Sequence, residues 1–211
     1  MLAVLLNQED IKGSRNRIML CAPSNAAIDE LLLRLVKGNL DANGGLRSVK
    51  AIRLGKVVDS PNSSEIEPFT IDYQVGKLIE VSGLPKQLAT INEKIRKTLR
   101  ELQSDSTNQC SQTRGRFDSP ALKLLKSDRI RIEVCIDNLH VSSTKAIIGD
   151  AEIVVSTLSS TSSQLFLDHI SANDISFKTV IIDEAGQTTE PSTLIPLRYG
   201  ASSLVLVGDP R

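Results

Sequence analysis

Aromatic residues are scarce: they make up 3% of the 211 residues, and tryptophan is absent. Many proteins that bind single strands stack the bases on aromatic rings, so binding dominated by stacking is not expected. Net charge is lacking as well, because 25 Asp and Glu match 25 Lys and Arg. The chain therefore has no global basic field, and local groups must hold any nucleic-acid partner.

Cysteine and histidine are too few for a disulfide framework or a zinc site. The three cysteines (Cys21, Cys110 and Cys135) are odd in number and widely spaced, and the two histidines stand apart from each other and from them. This usage predicts an intracellular, reducing compartment and no metal site built from Cys and His.

Long apolar runs are also lacking. None approaches the roughly 20 residues that span a bilayer, so no membrane partner is expected. The apolar start at 1–6 is too short for a signal peptide and lacks basic flanking residues, and it predicts the last turns of a buried helix.

Four short apolar runs predict a parallel sheet. Each is nearly continuous instead of alternating, which is typical of strands buried on both faces. The runs lie at 17–22, 151–155, 177–182 and 203–207. A fifth run, 49–54, alternates polar and apolar residues and predicts an edge strand or a more exposed one.

Helical periodicity fills the intervals. It predicts a helix over 26–36 and a weaker one over 159–170, and in the middle of the chain a narrow apolar seam recurs over 84–102 and 122–139. We expect an α/β domain (1–55 and 141–211) with an inserted helical hairpin (56–140) whose polar tip is flexible. The segment 86–102 contains five basic residues and two acidic ones. This excess of positive charge has two interpretations, a helical stalk near nucleic acid or a solvated helix face.

Small polar or acidic groups follow each predicted strand. They occupy 23–29, 156–160, 183–187 and 208–211. Open parallel sheets bind ligands outside the carboxyl ends of their strands, so these groups converge on one candidate site.

Asp183 and Glu184 are the sharpest of these groups, because they are adjacent carboxylates at a strand end. One can hold a hard cation while the other polarises a water, which suits Mg2+-dependent nucleotide hydrolysis. The alternative is a pair of acids that favour the positive end of a helix dipole.

Four segments resemble, in order, motifs of superfamily 1 helicases. Residues 21–31 (CAPSNAAIDEL) resemble motif Ia, 156–160 (STLSS) motif Ib, 180–187 (VIIDEAGQ, with its DEAG motif) motif II, and 206–211 (LVGDPR) the start of motif III. Order, spacing and the segment 191–197 are similar to the branch that contains senataxin and the up-frameshift RNA helicases.

The resemblance implies a RecA-like (P-loop NTPase) parallel sheet flanked by helices, with ATP and Mg2+ as cofactors. Asp183 would hold Mg2+, and Glu184 would activate the hydrolytic water. Gln187 would sense the γ-phosphate or couple it to the nucleic-acid side, and Asp209 would support that coupling.

The same resemblance implies single-stranded RNA or DNA as the partner. Ser24, Asn25 and Thr157 would contact its sugar-phosphate backbone, and hydroxyls, amides and helix N-termini suit phosphates without reading bases. By resemblance the protein would act in the nucleus, with the cytoplasm as the alternative.

The sequence departs from the family pattern in several ways. It contains no Gly-x-x-x-x-Gly-Lys segment followed by Ser or Thr, so the phosphate loop is missing. Motif III stops before its expected Gln, and Gly186 stands where Ala or Ser is usual in relatives. We expect the chain to be an incomplete first RecA-like domain, with the second RecA-like domain of the helicase missing. Such a chain would be inactive alone but part of an ATP-dependent helicase. The alternative is a truncated, non-catalytic module that binds nucleic acid or protein.

Overall fold

The computed structural model of the protein describes residues 17–38, 49–55, 57, 63–104, 119–173 and 175–209. The chain divides into two compact units, one comprising 1–74 with 144–211 and the other comprising 75–143. The first contains the sheet, and the described part of the second is helical. The domain boundaries expected from the sequence, 55/56 and 140/141, stay a prediction, and the expected helix at 1–6 lies outside the described residues.

The first unit is built on a five-stranded parallel sheet, which confirms the predicted α/β class. The strands, in the order β2-β3-β1-β4-β5, are β1 (Ile18–Ala22), β2 (Ala51–Arg53), β3 (Ile153–Thr157), β4 (Thr179–Ile182) and β5 (Ser203–Leu206). In the register of the central strand, Ile18 lies opposite Ile153 of β3 and Thr179 of β4.

The core lies on both faces of this sheet. Every residue of β1, β3 and β4 is buried, as their continuous apolar runs predict. Among the described strands β5 is an edge, and its Leu204 and Leu206 are 42% and 56% exposed. One face of the sheet carries an aromatic cluster of Phe166, Phe177 and Tyr199 with centroids 5.2 to 6.5 Å apart.

The run 49–54 was predicted to be an edge strand or a more exposed one. Among the described strands β2 is an edge strand, but it is not exposed. All three of its residues are buried, including Arg53 at 1% exposure. The alternating pattern is misleading here because the charged residue has buried polar partners, described below.

Helix α1 (Asn25–Gly38) confirms the predicted helix after the first strand. It begins where the Ser24 hydroxyl accepts a hydrogen bond from the Ala27 N–H at 3.2 Å, and it buries Ile28, Leu32 and Leu35. The helix predicted over 159–170 is divided instead. A 3₁₀ turn at Ser160–Ser162 precedes α6 (Gln164–Asn173), because hydroxyls of this Ser- and Thr-rich stretch bond nearby backbone carbonyls.

The remaining helices are α2 (Ser63–Ile66), α3 (Ile71–Val81), α4 (Leu84–Ser104), α5 (Pro120–Asp150) and α7 (Glu190–Leu194), with 3₁₀ turns at Glu67–Phe69, Ala185–Gln187 and Ile195–Tyr199. α4 and α5 confirm the helices predicted over 84–102 and 122–139. α5 continues to Asp150, so that two residues separate it from β3. Most of the predicted flexible tip (105–118) lies outside the described residues. No described helix is long and apolar enough to cross a membrane.

Candidate functional site

The chain leaves β4 through two carboxylates. The Asp183 N–H donates to the Cys21 carbonyl at 2.8 Å, which ties this turn to the end of β1. The Asp183 side chain is half-buried, whereas Glu184 is exposed. Gln187 Nε2 donates to Glu184 Oε2 at 2.9 Å, so the structure brings these two predicted site residues together.

Glu184 has an unusual backbone. Its φ of 54° and ψ of 36° lie in the left-handed region, and no other non-glycine residue in the described ranges has a positive φ. This conformation costs a residue with a Cβ about 1–2 kcal/mol. This left-handed residue lies between the end of β4 and the 3₁₀ turn at Ala185–Gln187, where the chain changes direction.

The turn after β4 and the turn after β5 are in direct backbone contact. The Ala185 N–H donates to the Val207 carbonyl at 2.8 Å. A Cβ on Gly208 would lie 3.0 Å from the Ala185 nitrogen, and a Cβ on Gly186 would lie 2.9 Å from the Asp209 carbonyl oxygen. A Cβ at either position would therefore force the two turns apart by a few tenths of an ångström, and glycine at 186 and 208 permits this close approach. Asp209, in the second turn, is exposed.

The residues predicted to contact nucleic acid lie at the ends of β1 and β3. Ser24 is exposed, and its hydroxyl caps α1. Asn25 is the first residue of α1, and its Oδ1 accepts a hydrogen bond from Arg53 Nη2 at 2.9 Å. Both residues lie at a helix N-terminus, where phosphate groups are stabilised.

Thr157 is 4% exposed. Its hydroxyl donates to Ser160 Oγ at 2.8 Å and accepts the Ser160 N–H at 3.2 Å, so it shapes the turn after β3. Ser159 is the exposed residue of this turn. The roles of Ser24, Asn25 and Thr157 toward nucleic acid, like those on the nucleotide side, stay predictions.

Sequence reasoning missed Arg53 and Asp29. Arg53 Nε donates to Asp29 Oδ1 at 2.7 Å, and both side chains are at least nine-tenths buried. A signal was present: an arginine interrupts an apolar strand, and Asp29 stands one helical turn after Asn25 on α1. The pairing itself joins positions 24 residues apart, which local patterns do not reveal.

The whole chain, residues 1–211, matches the model of the family described as AAA domain. The chain belongs to this family. It is 32% identical to "Helicase sen1" of Schizosaccharomyces pombe, over 93% of the chain and 13% of that protein. It is 34% identical to "Helicase SEN1" of Saccharomyces cerevisiae (93% and 10%) and 31% identical to "Probable helicase senataxin" of Homo sapiens (95% and 8%).

These similarities place this AAA domain in the senataxin-like branch of superfamily 1 helicases, as the four motifs indicated. The chain spans only about a tenth of the length of these relatives. The nucleotide, the Mg2+ and the nucleic acid that the resemblance implies stay predictions for this chain.

The donor set of the AAA domain fits such a cation. Mg2+ in nucleotide sites is held through one or two carboxylates together with phosphate oxygens. Asp183 supplies a half-buried carboxylate at a strand end. The neighbouring Cys21 is no competing ligand or nucleophile, because burial raises the pKa of its thiol to about 12. Among the described residues no group of three or more Asp, Glu, His or Cys side chains could hold a metal ion, so phosphate and water oxygens would have to complete the site.

Proposed function

We propose that the domain is part of an ATP-dependent helicase motor, which couples ATP hydrolysis to movement along single-stranded RNA or DNA. The backbone contact between the turns of motifs II and III supports this function best. The 2.8 Å hydrogen bond from Ala185 to Val207 and the facing glycines 186 and 208 give the two turns one common geometry. A change at the nucleotide in one turn therefore moves the other.

On the nucleotide side, Asp183 would hold Mg2+, which would supply positive charge to neutralise the phosphates. Glu184 accepts a proton from the attacking water, and its exposed carboxylate leaves room for that water. Gln187 donates to the Glu184 carboxylate at 2.9 Å and so fixes its orientation. Gln187 would also sense the γ-phosphate or couple it to the nucleic-acid side, and Asp209, on the adjoining turn, would support that coupling.

On the nucleic-acid side, the exposed start of α1 receives a backbone phosphate. Ser24 and Asn25 lie at this helix N-terminus, and the turn held by Thr157 lies at the end of the neighbouring strand. Such contacts hold the backbone without reading bases. By resemblance, this motor acts in the nucleus.

The 211 residues alone do not hydrolyse ATP in this proposal. They contain no phosphate loop, and the oriented groups that stabilise a transferring phosphoryl account for most of the rate in such sites. A second RecA-like domain completes the nucleotide site.

A chimera tests the motor function. Residues 18–209 replace the matching segment of the Schizosaccharomyces pombe Helicase sen1, and ATP hydrolysis is measured with and without single-stranded RNA. We expect RNA-stimulated hydrolysis that Glu184→Gln lowers by about 100-fold or more, the scale of a lost general base.

Glu190→Gln is the matched control, because Glu190 is an exposed acid at the start of α7 and not at a strand end. Equal effects of the two substitutions would contradict the assignment of Glu184. A folded chimera that binds RNA without hydrolysing ATP would favour the non-catalytic module instead.

A further inference from the structure

Arg53 is the most deeply buried charge that the proposed function leaves unused. Its side chain has no exposed surface, and that of its partner Asp29 is 9% exposed. Removing two charges from water carries a large desolvation penalty, and an apolar pair of similar volume is often as stable. Stability alone therefore does not explain the ion pair. The hydrogen bond from Arg53 to Asn25 indicates another role.

The guanidinium group bridges α1 and the end of β2. Nε donates to Asp29 Oδ1 at 2.7 Å, Nη2 donates to Asn25 Oδ1 at 2.9 Å, and Nη1 donates to the Leu54 carbonyl at 2.9 Å. Asn25 and Asp29 are four residues apart on α1 and share one helix face. The planar fork of arginine thus fixes the first turn of α1 to the sheet in a way that a lysine cannot.

This contact determines which end of the Asn25 amide faces Arg53. Arginine only donates hydrogen bonds, so the Asn25 oxygen must face it, and the amide NH2 group is directed elsewhere. An NH2 group donates to phosphate oxygens, whereas a carbonyl oxygen would repel them. Arg53 therefore presets Asn25 as a donor at a helix N-terminus.

The same segment also meets the turn after β3. A Cβ on Gly55, whose φ is +89°, would lie 2.9 Å from Ser160 Oγ, and Ser160 is the residue that Thr157 holds. Gly55 is thus packed against the turn after β3 that Thr157 shapes, and Leu54 accepts a hydrogen bond from the guanidinium group that also holds Asn25.

We propose that Arg53 is a positioning residue for the nucleic-acid backbone contact: it holds Asn25 with its amide NH2 group toward a phosphate. This inference rests on the proposed function, since it needs the start of α1 to receive nucleic acid.

The test measures the Kd of the 211-residue chain for a labelled oligouridine by fluorescence anisotropy, and thermal stability by circular dichroism. Asp29→Leu and Arg53→Met each leave one buried charge unpaired, and each is expected to lower the unfolding temperature. The double variant removes both charges, keeps the net charge and is expected to regain stability.

The double variant is nevertheless expected to bind about ten-fold more weakly than the wild type, the scale of one lost hydrogen bond to a charged group. Asn25→Ala should weaken the wild type by a similar factor and add little in the double variant, because the amide there is no longer oriented. The matched control is Glu30→Gln with Arg34→Gln, an exposed ion pair on the same helix, which should leave the Kd unchanged.

Two failures are distinguishable. A stable double variant with wild-type affinity, or an Asn25→Ala effect of full size in both backgrounds, overturns the positioning role and leaves the proposed function standing. A folded wild-type chain without measurable affinity for the oligouridine or for its DNA counterpart overturns nucleic-acid binding by this edge, and the positioning role with it.

Discussion

Replacing Gly208 with alanine tests the contact between the turns of motifs II and III. The new Cβ would lie 3.0 Å from the Ala185 nitrogen and 3.1 Å from the Gly186 nitrogen, both backbone atoms that no rotamer change can move aside. Unstrained contact begins near 3.4 Å, so the turns must separate by about 0.4 Å. The 2.8 Å bond from Ala185 to Val207 lengthens accordingly. Overpacking costs about 1–3 kcal/mol and a weakened hydrogen bond up to about 1 kcal/mol, so we expect a loss of about 2 kcal/mol.

For a chain of this length, 2 kcal/mol corresponds to a fall in Tm of about 4–8 °C. Thermal unfolding followed by circular dichroism measures it. Gly76→Ala is the matched control: Gly76 lies within α3 with nothing within 4 Å of an added Cβ, so alanine there should stabilise by about 0.5–1 kcal/mol. An unchanged Tm for Gly208→Ala, or an equal fall for Gly76→Ala, would refute the interlocked turns.

Three further substitutions or treatments have expected outcomes. Cys21 should resist alkylation in the native chain while the exposed Cys135 reacts. Because burial raises the pKa of the Cys21 thiol from 9.0 to about 12, its contribution to stability should be lost as the pH rises between those values. Alkaline unfolding curves of the wild type and of Cys21→Ala would show this loss. Tyr199→Phe removes a buried hydrogen bond to a backbone carbonyl and should cost about 1 kcal/mol in urea unfolding, whereas Tyr73→Phe, at a residue 41% exposed, should cost nothing measurable. Glu184→Gly should exceed Glu184→Ala in stability by about 1 kcal/mol, because only glycine relieves the positive φ, and equal melting temperatures would contradict the strain.

The fold was largely predictable because buried parallel strands leave a local signal. The apolar runs at 17–22 and 177–182 differ from β1 and β4 by one or two residues at their starts, since a run extends beyond its ladder of hydrogen bonds. α4 and α5 were predictable because their apolar residues recur every three or four positions, which is also a local signal. It could not show that 159–170 begins as a 3₁₀ turn, which side-chain hydroxyls bonded to the backbone determine.

The candidate site was predictable only in part. The position of Asp183 and Glu184 follows from the end of a strand, but the left-handed backbone of Glu184 depends on the neighbouring turn of motif III. Arg53 was hidden because its burial depends on Asp29 and Asn25, which are distant in sequence. Patterns of a single segment do not encode such partners.

The strand order has a consequence for how the protein is made. Among the described strands the two partners of β1 are β3 and β4, and Ile18 pairs with Ile153, so 134 residues must be synthesised between them. At about 5–20 residues per second, β1 waits roughly 7–27 s on the ribosome before its first neighbour exists. Until β3 is made, Ile18–Ala22 has no partner among the described strands, and the segments that form α3, α4 and α5 are all made before β3. Proteolysis of ribosome-bound chains halted before β3 and after β4 should show cleavage near β1 only in the shorter ones, so that the strand between β3 and β4 would be protected long after it is made.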